Sequence, residues 1–189
     1  MKNYLAYAAA IIIILSVIPY SIDILKGRTK PNVVSWLTWT ILLSIATAAA
    51  FAAHEPHAAL LTLGDTIATG AVLLLGIRHG IAKFSWFDGM CQLGAVVGLI
   101  LWFVLNSPSV AIMSSLLIDL IASVPTFRHA WKRPKEETSI TFIAGCLASS
   151  LTLLSLSSFG IASLAFPIYL LVNNFIIASI VISRGRRFA

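Results

Sequence analysis

The stretch SVIPYSIDILKGRTKPNVVSWLTW, residues 16–39, decides the fold because the chain contains a second version of it. The second version reads SVPTFRHAWKRPKEETSITFIAG and begins at Ser123. Each version consists of an apolar helix end, a proline, a basic turn and a polar entry into the next apolar run. Pro125 follows Pro19 by 125 − 19 = 106 residues, and this offset also pairs Lys26 with Lys132, Ser35 with Thr141 and Trp36 with Phe142. An internal repeat therefore divides the chain into two halves.

The composition indicates a protein of the lipid bilayer. Of 189 residues, 59% are hydrophobic and 11% are charged, and the mean hydropathy is +0.95. Such a chain has too little polar surface to coat a soluble globule. The net charge of +6 would suggest a nucleic-acid partner for a soluble protein, but here the basic residues lie in short loops between apolar runs. We therefore expect no nucleic-acid partner. Cys91 and Cys146 show no metal-ligand or disulfide spacing, so no metal and no cofactor are predicted.

Seven apolar runs are long enough to cross about 30 Å of hydrocarbon as helices. They are predicted over residues 4–22, 33–53, 58–77, 87–105, 110–130, 139–156 and 162–183. The repeat joins the first three with the last three, which leaves the fourth as a linker. We therefore predict an all-α integral membrane protein with two parallel three-helix repeats and a linker helix, a 3+1+3 arrangement. Residues 1–80 form the first repeat, 81–107 the linker helix 4, and 108–189 the second repeat with a basic cytoplasmic tail.

The basic residues predict the orientation. Apart from Lys2, they fall in or beside loops 1–2, 3–4 and 5–6 or in the tail: Lys26, Arg28, Lys30, Arg78, Lys83, Arg128, Lys132, Arg133, Lys135, Arg184, Arg186 and Arg187. Loops 2–3, 4–5 and 6–7 contain none. Because basic loops stay on the cytoplasmic side, we predict a multi-pass cell-membrane protein with its amino terminus outside and its carboxyl terminus in the cytoplasm.

This arrangement resembles the PQ-loop and SWEET superfamily of small transporters, in which parallel repeats are joined 3+1+3. Each repeat of the present chain has a proline near the end of its first helix and a short basic turn into the second. Where the family has Pro-Gln, this sequence has Pro19-Tyr20 and Pro125-Thr126. The resemblance implies a transporter, with a polar residue on the third helix of each repeat facing the solute. Asp65 and either Asn173 or Asn174 match that place.

The two matched prolines are predicted to act as hinges. A proline inside a helix removes a backbone hydrogen bond and kinks the helix. Prolines near the ends of membrane helices are also common for structural reasons alone. The equivalent positions of Pro19 and Pro125 favour the hinge, which would let each triplet of helices rock.

The acids and amides inside apolar runs predict the site. Asp65 lies in the third run and Asp119 in the fifth, and each costs about 2.5–3.5 kcal/mol at mid-membrane if ionised. Such residues face the bundle interior and mark a function by default. Asn173 and Asn174 lie at similar depth in the seventh run. We predict that these four residues bind the solute, although hydrogen bonding between helices is an alternative role.

The leading functional prediction is a small secondary transporter that moves a small polar solute between the two triplets. No Lys or Arg lies mid-helix to hold Asp65 or Asp119 ionised, so both are candidate proton carriers and transport is predicted to be driven by a proton gradient. The protein is not expected to be an enzyme. The alternatives are an intramembrane enzyme that uses an Asp65/Asp119 acid and base pair, and a ligand-binding membrane receptor or assembly factor.

Three further patterns carry less weight. Trp36 and Trp39 could form an aromatic wall for a ring-shaped substrate, but their place near the cytoplasmic interface favours an aromatic belt. The segment from His54 to His57 offers two histidines and Glu55 without a fourth metal ligand. Two GxxxG steps occur, Gly94 with Gly98 and Gly76 with Gly80; close helix packing explains them, with a homodimer as the lesser alternative.

Overall fold

A computed structural model gives the fold and describes residues 2–29, 31, 33–80 and 86–185. Within these ranges only the backbone is described at positions 88, 91, 92, 95, 98, 99, 102, 125, 128, 129 and 136. The described part of the chain is built from helices and contains no strand, which confirms the predicted all-α class.

Seven α-helices and one short 3-10 helix follow one another along the described residues. The α-helices are α1 Lys2–Leu25, α2 Val33–Ala52, α3 Pro56–His79, α4 Trp86–Leu105, α5 Pro108–Lys132, α6 Ser139–Ser155 and α7 Ile161–Gly185, and the 3-10 helix covers Pro134–Glu136. Two α-helices begin at a proline, Pro56 and Pro108. Proline suits this position because its missing N–H would have no helical partner there, so these two residues fix where α3 and α5 start.

Four helices, α1, α2, α3 and α7, are long and apolar enough to span a membrane. Shorter apolar stretches cover Pro108–Val124 in α5 and Ser139–Ser155 in α6. On α1 the outward face carries Ile11, Leu15 and Ile18. These residues recur at the three- and four-residue spacing of one helix face, and an apolar outer face is stable in lipid rather than in water. The chain is therefore an integral membrane protein.

Small residues bring α1 and α3 close together. Ala6 and Ala9 of α1 are fully buried, and a Cβ added at Gly64 of α3 would lie 3.1 Å from the carbonyl oxygen of Ala10. Near their first residues the two helices are also joined through the side chains of Asn3 and His57. Since their beginnings lie side by side, α1 and α3 run in the same direction.

The contacts between α1 and α6 show that these helices run in opposite directions. The Nζ of Lys2, at the start of α1, donates a hydrogen bond of 2.6 Å to the carbonyl oxygen of Leu156, just after α6. Near the beginning of α6, the hydroxyl of Thr141 donates to the carbonyl oxygen of Ser16 at 3.1 Å. One helix of the first half thus packs lengthwise on one helix of the second.

The first three and last three helices pack by the same rule. α3 packs against both α1 and α2, and α7 packs against both α5 and α6. The hydroxyl groups of Ser123 in α5 and Tyr169 in α7 lie 3.2 Å apart, and Ala130 and Val181, near the ends of these helices, share one apolar cluster, so α5 and α7 run in the same direction, as α1 and α3 do. The two groups meet where α1 contacts α6 and where α2 contacts α5. α4 packs against α5, with Gly94 facing Ile118.

The apolar core is shared at one end of the bundle and divided at the other. At the end where α1, α3, α5 and α7 begin, one cluster joins six helices and includes Leu43, Leu61 and Phe166. At the opposite end each half has its own cluster: Tyr20, Ile24 and Val72 in the first half, and Ala130, Ile177 and Val181 in the second. The two halves are therefore packed together more completely at the first end.

Candidate binding cavity

A cavity of about 90 Å³ lies in the middle of the bundle. Its wall combines residues of α1, α2, α3, α5, α6 and α7, so both halves of the chain contribute to it. Liquid water occupies about 30 Å³ per molecule, and the space therefore corresponds to roughly three waters or one small solute. The cavity lies next to the shared apolar cluster, since Ile13, Leu43 and Leu170 belong to both.

All four residues predicted to bind a solute line this one cavity. Asp65 comes from α3, Asp119 from α5, and Asn173 and Asn174 from α7. The side chain of Asp119 is buried, with 5% of its surface exposed, whereas Asp65 is half-buried. No Lys, Arg or His of the described chain lines the same wall. The protein thus surrounds this space with acids and amides and without a basic partner.

A tyrosine of α7 positions Asp119. The carboxyl group of Asp119 lies within hydrogen-bonding range of the hydroxyl of Tyr169, which in turn lies 3.2 Å from the hydroxyl of Ser123. Asp119 and Ser123 are four residues apart on α5 and therefore project from the same helix face. Tyr169 thus lies between Ser123 and Asp119 and gives the carboxyl group of Asp119 a polar neighbour.

Asp65 has a different environment. It lies close enough to Asp119 for the two acids to interact electrostatically, but its carboxyl group makes no hydrogen bond to any described residue. The backbone of Asp65 does have a partner, because the hydroxyl of Thr69 donates to its carbonyl oxygen at 2.8 Å. The carboxyl oxygens of Asp65 are therefore available to a ligand in the cavity.

The two asparagines of α7 are held differently. The Nδ2 of Asn174 donates to the carbonyl oxygen of Leu170 at 2.8 Å, and its amide packs on Gly145, where an added Cβ would lie 2.7 Å from the amide carbon. The Oδ1 of Asn173 is buried and has no partner among the described residues. A buried acceptor without a partner costs free energy. A ligand that donates a hydrogen bond to the Oδ1 of Asn173 would recover this free energy.

Aromatic rings form a second part of the wall. Trp36 and Trp39 both line the cavity, with ring centres 5.2 Å apart and planes at 84°. The ring of Tyr20 packs on Trp36 at 5.3 Å, and Phe142 lines the cavity from α6. Both tryptophans therefore contribute to the wall of the site, as the aromatic-wall interpretation requires; their depth relative to the membrane interface stays a prediction.

The repeat contained a signal for some of these wall residues. Trp36 and Phe142, paired at an offset of 106 residues, both line the cavity. The same offset pairs Ile13 with Asp119, which also line it. Tyr169 had no comparable signal, because a tyrosine among apolar residues does not reveal from sequence which group its hydroxyl will meet.

The prolines predicted as hinges lie within helices α1 and α5. Pro19 follows Ser16 by three residues, and the carbonyl of Ser16 accepts the hydrogen bond from Thr141 of α6. The hinge position is therefore next to a polar contact between the halves. The side chain of Pro125 lies outside the described residues. Pro167 in α7 is a further helix proline and is buried.

The segment that offered two histidines and an acid makes hydrogen bonds at the end of the bundle where α1 begins. His57 joins two helices, because Nδ1 lies 2.7 Å from the carbonyl oxygen of Ser155 and Nε2 lies 3.0 Å from Oδ1 of Asn3. The hydroxyl of Ser158 donates to Glu55. Among the described residues there is no metal-ligand cluster. We call Asn3, Glu55, His57, Ser155 and Ser158 the end cluster; it connects the loops α2–α3 and α6–α7.

At the opposite end, a polar pocket lies between the halves. It is lined from the first half by Asp23, Arg28 and Thr29 and from the second half by residues that include Thr138. Asp23 forms an ion pair with Arg28 at 3.6 Å and accepts a hydrogen bond from Thr138 at 3.1 Å. This end is joined by polar contacts around an open space, in contrast to the apolar packing of the other.

Comparisons with protein-family models, with curated proteins and with solved structures found no match.

Proposed function

We propose that this protein is a small secondary transporter that moves a small polar solute through the central cavity. The observation that carries the proposal is the composition of the cavity wall, to which both halves of the chain contribute polar side chains. A site between two halves that can rock against each other becomes accessible from each side in turn, which is how repeat-built transporters work. Asp65, Asp119, Asn173 and Asn174 are the proposed solute ligands.

We further propose that all seven helices span the membrane as two parallel triplets with α4 as linker, so that residues 1–80 and 108–189 are the repeats. The identical packing rule of the two triplets supports this arrangement. Basic loops on one side support an amino terminus outside and a carboxyl terminus in the cytoplasm. The described fold then corresponds to a conformation that is closed at the outer end, where the core is shared.

A proton gradient is the proposed driving force. Asp65 exposes its carboxyl oxygens to the cavity, and its carboxyl group has no hydrogen-bond partner among the described residues. A proton bound to this carboxyl group can therefore be released into the cavity and taken up again from it. Asp119 is positioned by Tyr169, which suits a fixed ligand. Pro19 and Pro125 are the proposed hinges for the rocking of the triplets.

Counterflow in proteoliposomes tests the transport proposal. Purified protein is reconstituted with a mixture of small amines, amino acids and sugars inside the vesicles, and the uptake of each labelled compound from outside is measured. Saturable uptake of at least one unmodified compound, absent from vesicles without protein, is expected. Binding of a compound without its counterflow would contradict transport and favour the receptor or assembly-factor alternative.

The second candidate function is an intramembrane enzyme. The observation in its favour is that Asp65 and Asp119 line one cavity and interact electrostatically, so both can reach one substrate, one as acid and the other as base. Mass spectrometry of lipids and solutes after incubation with the protein distinguishes the candidates. A new product that disappears in the Asp119→Asn variant would select the enzyme over the transporter.

Two of the glycines on which a homodimer was predicted, Gly76 and Gly94, are engaged within the chain. Gly94 packs against Ile118, and a Cβ added at Gly76 would lie 3.3 Å from the ring of Pro31. A second copy of the chain is therefore a weaker proposal than close packing within one copy.

A further inference from the structure

The donors and the acceptors of the cavity wall differ in how many hydrogen bonds they already make within the protein. Three hydroxyl groups line the cavity, and each donates its hydrogen to a backbone carbonyl: Ser16 to Ile13 at 2.7 Å, Thr69 to Asp65 at 2.8 Å and Thr141 to Ser16 at 3.1 Å. The Nδ2 of Asn174 donates to Leu170. These donors are already engaged within the protein.

The acceptors of the wall, in contrast, have few hydrogen-bond partners within the described residues. The carboxyl oxygens of Asp65 make no hydrogen bond to a described residue, and the Oδ1 of Asn173 is buried without a partner. Asp119 lies near one donor, the hydroxyl of Tyr169, and its carboxyl group can accept several hydrogen bonds. A ligand that completes this wall must therefore supply hydrogen-bond donors.

The charged residues of the wall also favour a ligand that donates hydrogen bonds, and in particular a cation. Two acids line the cavity and no basic side chain of the described residues does. A carboxylate in a low-dielectric interior is unfavourable unless a cation pairs with it. Trp36 and Trp39 line the same wall, and aromatic rings of this kind attract a positive charge through their quadrupoles. Both the acids and the rings thus favour a cationic ligand.

The apolar part of the wall distinguishes an organic cation from a metal ion. Ile13, Val17, Leu43, Leu170 and Ile177 line the same space. A small metal ion requires oxygen ligands on all sides, whereas this wall offers oxygens on one part and hydrocarbon on the rest. An ammonium group on a short carbon skeleton matches both parts.

We propose that the cavity binds a small primary-amine cation, with the ammonium paired to Asp119 and the open oxygen of Asn173, and the carbon skeleton against the apolar part of the wall. Asp65 completes the site and carries the exchangeable proton. This inference rests on the proposed function because it names the substrate class of the same site. The proposal excludes an organic anion, which needs a basic group, and it disfavours a neutral sugar, which supplies donors but no positive charge to pair with the two acids.

Ethanolamine and propan-1-ol test the proposal as a matched pair, because they differ by the replacement of an ammonium with a methyl group. Purified protein in lipid nanodiscs is titrated with each, and binding is followed by the rise in unfolding temperature that a ligand of the folded state produces. Ethanolamine should raise this temperature in a saturable way, and propan-1-ol and sodium chloride at equal concentration should not. An equal response to propan-1-ol or sodium chloride would overturn the proposal.

Variants locate the bound charge. Asp119→Asn should weaken ethanolamine binding about tenfold or more, as expected for the loss of a charge-assisted hydrogen bond. Asp23→Asn is the matched control, because it removes the same charge from a residue outside the cavity, and its affinity should equal that of the natural chain. Undiminished binding by Asp119→Asn would overturn the assignment.

A second variant keeps the test decisive if Asp119→Asn does not fold. Asn173→Leu removes the open acceptor without adding a charge and should weaken ethanolamine binding several-fold; unchanged affinity would count against the proposed site. Because these titrations measure binding alone, they separate the two proposals. Ethanolamine binding without counterflow would contradict transport, and counterflow of a sugar without ethanolamine binding would contradict the cationic substrate.

Discussion

Asp65 of α3 and Asp119 of α5 line the same cavity, although they come from different halves of the chain. They differ in support, because Asp119 is buried and within reach of the hydroxyl of Tyr169, whereas Asp65 is half-buried and makes no hydrogen bond to a described residue. Two acids with such different surroundings suit different tasks. The fixed acid can hold a ligand, and the unsupported acid can exchange a proton.

Asp65→Asn should separate solute binding from proton coupling. Asparagine keeps the size and polarity of the side chain but cannot bind or release a proton near neutral pH. In proteoliposomes, an imposed pH gradient should stimulate uptake by the natural chain and leave the Asp65→Asn rate unchanged, with counterflow retained. Asp119→Asn should reduce the stimulation less. A full response to the gradient in Asp65→Asn would return this residue to a role in helix packing.

Replacing both hinge prolines should slow transport without unfolding the protein. Alanine at Pro19 and Pro125 restores the N–H that each proline lacks and so stiffens α1 and α5. We expect the rate of counterflow to fall several-fold while the unfolding temperature stays the same or rises. Pro167→Ala is the matched control, since Pro167 is a helix proline without a counterpart in the repeat. Unchanged counterflow in the double variant would leave Pro19 and Pro125 with a structural role.

The sequence predicted the helices well because a membrane requires long apolar runs with satisfied backbones. The ends were less accurate. α1 was predicted over residues 4–22 and covers Lys2–Leu25, because helical hydrogen bonding continues through the polar residues Lys2 and Asp23 at its ends. Composition marks where a span leaves the hydrocarbon, which is not where its helix ends.

The site was predictable in part. Asp65 and Asp119 stand out because acids in apolar runs are costly, and they line one cavity. The contact of Tyr169 with Asp119 could not be read from sequence, since it depends on the stagger between α5 and α7. The tryptophans were assigned to a belt because interface and cavity can lie at the same membrane depth.

Cysteine labelling should determine the orientation. After both native cysteines are replaced by serine, Ser157→Cys in the loop α6–α7 and Lys135→Cys near the start of α6 provide two exposed positions at opposite ends of the bundle. In intact cells a membrane-impermeant thiol reagent should modify the cysteine at 157 and leave that at 135 unmodified, because basic loops stay in the cytoplasm. Permeabilised cells provide the control, in which both should react. Labelling of position 135 from outside would contradict the proposed topology.

Gly145→Ala should disturb the site by displacing the side chain of Asn174. The added methyl would lie 2.7 Å from the amide of Asn174, so the amide must move toward the cavity or the helices must separate, at a cost of about 1–3 kcal/mol. We expect a lower unfolding temperature and weaker solute binding. Gly160→Ala is the control because nothing lies within 4 Å of its added Cβ. Equal behaviour of the two variants would show that the Gly145 contact with Asn174 does not constrain the site.

The end cluster should hold the bundle closed at the end where α1 begins. His57 contacts Asn3 of the first half and the carbonyl of Ser155 in the second half, and Glu55 accepts a hydrogen bond from Ser158. Two of these contacts, His57 with Ser155 and Glu55 with Ser158, cross between the halves, so they must break if this end opens. Each is worth about 0.5–1.5 kcal/mol, and their loss should shift the equilibrium toward the outward-open conformation.

His57→Leu tests this role because it removes both contacts of the ring. Only the contact with Ser155 crosses between the halves, and the loss of its roughly 0.5–1.5 kcal/mol corresponds to a shift of about twofold to tenfold in the conformational equilibrium. The measurement is the rate at which an impermeant thiol reagent, added outside, modifies Ser16→Cys on the cavity wall in a chain without other cysteines. The rate should rise by that factor in His57→Leu. His79→Leu is the control, since the His79 ring contacts the carbonyl of Leu75 in its own helix at the opposite end. If both leucine variants label Ser16→Cys at the rate of the parent, the end cluster does not gate the cavity, and the shared apolar core alone keeps this end closed.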